Sequence, residues 1–130
     1  MSSKLTGPLR CPKQRDNVIG VIAGYNKRSA DRICEQIERY ADETQDTYEG
    51  VHQKRHVYFI FNTPGGDVGA LNQILACMDK YRDRLIYVGI IAAPACAQAM
   101  AASCGGCHFA ACDICILEPL SLFLMHEVRN

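Results

Sequence analysis

Three features of the sequence predict an α/β fold built on a largely parallel sheet. Residues 57–61 (VYFIF) and 85–91 (LIYVGII) are apolar without a break, the pattern of strands covered on both faces. Between them Val68, Leu71, Ile74, Leu75, Met78 and Tyr81 recur at three-and-four spacing, the buried stripe of a helix. A similar strand-then-helix pair precedes them over residues 17–41. Alternating β and α segments of this kind return to one sheet in parallel, through right-handed crossovers.

Taken in order, residues 1–17 are polar, contain proline and lack periodicity, so an N-terminal arm or loop is expected there and a single domain over 18–130. Residues 17–25 (NVIGVIAGY) form a β-branched run bounded by polar residues, as in a buried strand. Ser29 is the expected cap of the first helix, with Ala30, Ile33, Cys34, Ile37, Tyr40 and Ala41 on its apolar face. The polar stretch 42–55 reads as a loop. The strand at 57–61 stops at Asn62-Thr63-Pro64-Gly65-Gly66-Asp67, and the strand at 85–91 runs through Ala92-Ala93-Pro94-Ala95 into Cys96. Residues 97–103 are nearly all small, and a closely packed helix is expected there, ended by Gly105-Gly106 because glycine accepts the left-handed backbone of a helix C-terminus. Residues 108–117 read as a further strand, Glu118-Pro119 as a turn, and 122–125 as a short strand that delivers His126.

Composition removes several classes of function. The chain has 130 residues with 48% hydrophobic and 22% charged, far from the signature of disorder. Its formal net charge is zero, so the basic footprint of a nucleic-acid or anionic-membrane binder is missing. No apolar run is long enough for a membrane span, and the first residues (MSSKLTGPLR) lack the apolar core of a signal peptide. A cytoplasmic protein is expected, and its eight cysteines are expected to be reduced thiols.

Two strand-to-helix junctions, at Gly65-Gly66 and at Cys96, fall at the carboxyl ends of parallel strands, where ligands bind in open α/β sheets. The paired glycines let backbone N–H groups approach a reacting carbonyl, as an oxyanion hole requires. Cys96 would open the following helix, where unpaired N–H groups favour a thiolate. Each feature also has a plain structural explanation: an ordinary turn for Pro64-Gly65-Gly66, a small apolar filler for Cys96, and a hydrogen-bonded edge residue for His126.

Together these residues form a pattern. The run FNTPGGDVGALNQILACMDKYRDRLIYVGIIAAPACAQAMAASCGG, with HFA after it and LFLMHE further on, resembles the core of the Clp protease proteolytic subunits of the ClpP/crotonase superfamily. The resemblance spans residues 57–127. It implies a crotonase-like spiral of β-α units and a serine-family endopeptidase that works without cofactor or metal. By the same resemblance Cys96 stands at the position of the nucleophilic serine, His126 is the general base, and Gly65, Gly66 and Ala97 hold the oxyanion. The implied partners are a peptide or unfolded protein substrate, further copies of the chain in a ring, and an ATP-driven unfoldase.

The chain departs from that pattern in three ways. Cysteine replaces serine at residue 96, the interval from Phe109 to His126 is long, and the family's acidic triad member lies beyond the histidine, where this sequence has only Glu127-Val128-Arg129-Asn130. Little peptidase activity is therefore expected, since a triad without its acid loses orders of magnitude in rate. Asp113, Glu118 and Glu127 are the acids available as substitutes.

Other readings stay open: a non-catalytic or regulatory subunit, the acyl-CoA-binding crotonase branch, and the signal-peptide-peptidase-like and serine-dehydrogenase-like peptidases. Cys104, Cys107, Cys112 and Cys115 form two CxxC pairs four residues apart, which raises a cysteine-ligated metal domain with His108 as a further donor. The first pair is expected on a glycine turn. The second lies in a strand-like run, where residues three apart face opposite sides and chelation would need a sharp bend.

Overall fold

A computed structural model describes residues 17–43, 47–48, 51–52, 54–91, 100–118 and 122–124. Strand β1 (Val18–Ile22) leads into helix α1 (Lys27–Glu43), a two-residue antiparallel hairpin β2 (Thr47–Tyr48) and β3 (Val51–His52), strand β4 (Arg55–Asn62), helix α2 (Val68–Lys80) and strand β5 (Leu85–Ile91). Strand β6 (Met100–Ala102), helix α3 (Cys104–Ala110), β7 (Ile114–Leu117) and β8 (Leu122–Leu124) complete the order. The protein is α/β: β1-β4-β5-β7 form one four-stranded sheet, parallel at every pairing, and β6 and β8 form a second, parallel pair.

The continuous apolar runs occupy the middle of the larger sheet. In β4, Val57, Phe59 and Phe61 are fully buried and Tyr58 and Ile60 half-buried, so both faces are covered. Beside it in β5, Leu85, Tyr87, Val88 and Ile91 are buried. Gly89 has no side chain for a reason: a Cβ there would lie 2.9 Å from Phe109 Cδ1 and 3.0 Å from Cys112 Sγ, so α3 packs directly on the strand backbone.

Helix α1 buries Ala30, Ile33, Cys34, Ile37 and Ala41, the stripe expected from spacing. Its cap is Asn26 rather than Ser29. The Asn26 Oδ1 accepts from the Ser29 N–H and the Ser29 Oγ accepts from the Asn26 N–H, each at 2.9 Å, a reciprocal box that starts the helix one residue after Asn26. Helix α2 is capped by Asp67, whose carboxylate accepts from the Ala70 N–H at 3.0 Å. Helices α1 and α2 meet at Cys34 and Cys77, where the Cys77 thiol reaches the Cys34 carbonyl at 3.8 Å.

Three local expectations are corrected. The polar stretch 42–55 contains the β2–β3 hairpin. The helix expected over 97–103 is replaced at Met100–Ala102 by a strand, because pairing with Leu122–Leu124 outweighs the helix preference of an alanine-rich segment. Gly105-Gly106 do not end a helix. They lie buried in the first turn of α3, where the lack of side chains permits close packing, and residues 108–110 continue that helix instead of opening a strand.

The last strand of the larger sheet is tied down by Asp113. Its carboxylate accepts from the Tyr87 N–H at 2.8 Å and from Arg82 at 3.1 Å, while Arg82 also donates to the Ala111 carbonyl at 2.9 Å. Asp113, one of the acids available to a catalytic role, is thus occupied in holding β7 to β5.

Candidate functional site

The site is built from the ends of four strands. Strand β4 ends at Asn62, and the chain turns through Thr63-Pro64-Gly65-Gly66 into α2. Two glycines are needed because both have positive φ, 108° at Gly65 and 154° at Gly66. Thr63, fully buried, donates from Oγ1 to the Ala23 carbonyl and accepts on the same oxygen from the Gly65 N–H at 3.2 Å. The turn is then stitched to the end of β1: the Tyr25 N–H donates to the Gly65 carbonyl and the Asp67 N–H donates to the Tyr25 carbonyl, both at 2.9 Å. These bonds use the groups of Gly65 and Asp67. They form a parallel bridge between Tyr25 and Gly66, in which the backbone groups of Gly66 itself point away from Tyr25.

On that outward side lies the start of α3. The Cys104 thiol donates to the Gly66 carbonyl at 3.3 Å, which sets the side chain of residue 104 against the backbone of residue 66. Between β6 and α3 stands Ser103, at φ 56° and ψ −118°. A side-chain-bearing residue adopts this backbone at a cost of about 1–3 kcal/mol, and such residues cluster at functional sites. A serine on a strained strand-to-helix turn is the geometry of a nucleophile elbow, which lifts the hydroxyl clear of the backbone and leaves the next N–H pointing to the same space.

The parallel pair β6–β8 sets the register of the strand that Ser103 follows. Ala102 faces Leu124 in register. One residue further on the first strand is Ser103, and two further on the second is His126. Cys96, in contrast, precedes Met100 by four residues in the sequence. Cys96, Ala97 and His126 lie outside the described residues. Of the expected site, Gly65 and Gly66 are described, and the Gly65 N–H is already taken by Thr63.

Beneath the elbow, His108 of α3 is completely buried, with Nδ1 2.8 Å from the Tyr25 hydroxyl. Burial raises the pKa of that phenol, and the nearby thiols of Cys104, Cys112 and Cys107 add to the effect, so Tyr25 stays protonated. The imidazole Nε2 has no hydrogen-bond partner among the described residues. The rings of Phe59 and Phe61 meet the imidazole in T-shaped contacts, centroids at 4.5 and 4.9 Å.

Burial lowers the His108 pKa to about 3 from its ordinary 6.5. The unfolded chain therefore binds a proton there that the folded chain refuses. The stability is complete above pH 6.5 and falls as the pH drops toward 3. Between pH 6 and 4 the unfolding free energy is expected to fall by about 1.4 kcal/mol per pH unit from this residue. Denaturant titrations of the native chain and of His108→Phe measure it: the difference in slope between the two should equal this value, and identical slopes would rule out a buried neutral imidazole.

The CxxC pairs do not assemble a metal centre here. Among the described residues no three His, Cys, Asp or Glu side chains converge as ligands. The first pair is on α3 rather than on a turn, and the thiols donate to carbonyls instead: Cys104 to Gly66, Cys112 to His108 at 3.6 Å, and Cys115 to Phe109 at 3.2 Å. Nor is any described helix long and apolar enough to cross a membrane.

Sequence reasoning set Ser103 aside, as a residue one or two turns deeper on the helix that Cys96 would open, and passed over Tyr25. The signal for the first is in the residues 101–105, AASCG, a serine flanked by small residues with glycine two positions on, which is the spacing of an elbow. Tyr25 carries no sequence signal beyond ending an apolar run. Fold and site together define an α/β protein with a parallel sheet and a strained serine elbow at its carboxyl edge. No protein-family model matches this chain, and none of the curated proteins does.

Proposed function

We propose that this protein is a Clp-type serine peptidase subunit with the crotonase-like spiral, and that its nucleophile is Ser103 rather than Cys96. The observation that carries the reading is the strained backbone of Ser103 at the end of a strand paired, in parallel and in register, with the strand that leads to His126. Neighbouring strands lie about 4.8 Å apart, and on this proposal His126, two residues past Leu124 in the sequence, reaches Ser103. The second parallel pair beside the main sheet supports the spiral.

In this reading the Ser103 hydroxyl attacks the scissile carbonyl carbon while its proton passes to the His126 imidazole. The carbonyl oxygen becomes an oxyanion held by the N–H groups of Gly66 and Cys104, the latter in the role first expected of Ala97. Collapse breaks the C–N bond, and the leaving amine takes the proton from His126. Water then hydrolyses the Ser103 ester by the same steps in reverse order. The substrate is an extended or unfolded polypeptide. Ring assembly with further copies and delivery by an ATP-driven unfoldase follow from the resemblance.

A biotinylated fluorophosphonate tests the reading. Incubation with the full chain near neutral pH, digestion and mass spectrometry should find the phosphonyl adduct on Ser103. An adduct on Cys96 alone would return the nucleophile to that position, and no adduct in a folded protein would remove the hydrolase reading.

A further inference from the structure

Tyr25 touches both halves of the site without belonging to either. Its backbone N–H and carbonyl hold the Gly65-Gly66-Asp67 turn at 2.9 Å each, and its hydroxyl, at the other end of a side chain only 4% exposed, reaches 2.8 Å to Nδ1 of His108 on α3. The Gly66 N–H comes from the first half. The Cys104 N–H comes from the second, at the start of the helix that carries His108. Among the described residues the Cys104 thiol also reaches across, to the Gly66 carbonyl at 3.3 Å, as a weak sulfur donor.

We propose that Tyr25 is a positioning residue that sets the spacing of the two oxyanion donors. This rests on the serine-peptidase reading above and adds a residue to it. The phenol is a rigid strut: its backbone is fixed to one wall, and its ring packs edge-on to the imidazole with centroids 5.9 Å apart and planes at 78°. Its oxygen fixes the helix by a directional bond. Loss of the hydroxyl leaves the ring in place but frees α3 to shift by a fraction of an ångström relative to Gly66. Donors aimed at an oxyanion tolerate little misplacement, and small shifts cost rate with no loss of fold.

The test compares the full chain with Tyr25→Phe and His108→Phe. The second-order rate constant for a fluorophosphonate at Ser103 is measured per folded molecule, with the fraction folded taken from circular dichroism, so that partial unfolding drops out. Affinity for a short peptide boronate, which forms a tetrahedral adduct, is measured beside affinity for the same peptide as an uncleaved amide. Tyr25→Phe should slow phosphonylation roughly tenfold and weaken the boronate by a similar factor, with the amide unchanged. His108→Phe should do the same, and the double variant should be no worse than either single one. Phosphonylation of Tyr25→Phe at the native rate would overturn the proposal while leaving the peptidase reading intact, as would equal losses for boronate and amide. Absence of Ser103 labelling in the native chain would overturn the peptidase reading, and this proposal with it.

Discussion

Ser103→Ala should reduce the fluorophosphonate reaction by roughly a thousandfold or more, to the level of the unfolded chain, because the proposed mechanism takes its attacking oxygen from Ser103. Cys96→Ala should leave it within about threefold of native, and His126→Ala should lower it by roughly a hundredfold or more through loss of the base. The rate constants are read from labelling time courses at several probe concentrations. The opposite ranking, with Cys96→Ala inert and Ser103→Ala unaffected, would relocate the nucleophile. A stability measurement on Ser103→Gly gives an independent readout. The native backbone at φ 56° and ψ −118° is strained for serine and open to glycine. Ser103→Gly should therefore raise the unfolding free energy by about 1 kcal/mol while abolishing labelling, after allowance for the added entropy of an unfolded glycine. Stability gained where function is lost is the mark of a residue held in place for its chemistry.

The same serine shows where sequence reading runs out. Runs such as 57–61 and 85–91 are legible because burial on both faces leaves no polar position in the strand, and the stripe of α1 is legible because burial follows the helical period. Residues 97–103 are not legible in that way. Alanine has the highest helix preference of any residue, yet Met100–Ala102 is a strand because Leu122–Leu124 lies beside it, a partner twenty-two positions away that no local pattern reveals. Once the helix is assumed to begin at Cys96, Ser103 falls inside it and its strained backbone is not foreseen. The cysteine pairs mislead by a related route. Their spacing resembles a ligand set, but three-residue spacing on α3 and the bend after it send the thiols to backbone carbonyls. Gly65-Gly66 could be recognised as a turn for an oxyanion from its residues. That the Gly65 N–H is spent on Thr63 depends on a fully buried hydroxyl forty positions from the carbonyl it binds.

Gly66→Ala should be the most disruptive single substitution in the turn. A Cβ built on Gly66 falls 2.5 Å from the Tyr25 N and closer still to the Tyr25 carbonyl oxygen. Both are backbone atoms, and both are already engaged, the N–H with Gly65 and the carbonyl with Asp67. No rotamer relieves the clash, so the bridge must open. That forfeits two buried backbone hydrogen bonds at about 1–3 kcal/mol each, in addition to the penalty for a side chain at φ 154°. The expected loss of stability is about 3 kcal/mol or more, measured by urea unfolding. Gly24→Ala is the control from the facing strand end: its Cβ would make only an ordinary contact, 3.4 Å from the Gly65 carbonyl oxygen, and should cost less than about 1 kcal/mol. In the fraction of Gly66→Ala that remains folded, Ser103 labelling should fall by roughly a hundredfold, the effect of displacing one oxyanion donor. The two readouts separate scaffold from site. Lost stability with native labelling would mean that residue 66 shapes the turn but does not hold the oxyanion, whereas native stability would mean that Tyr25 and Gly66 do not approach as closely as the bridge requires.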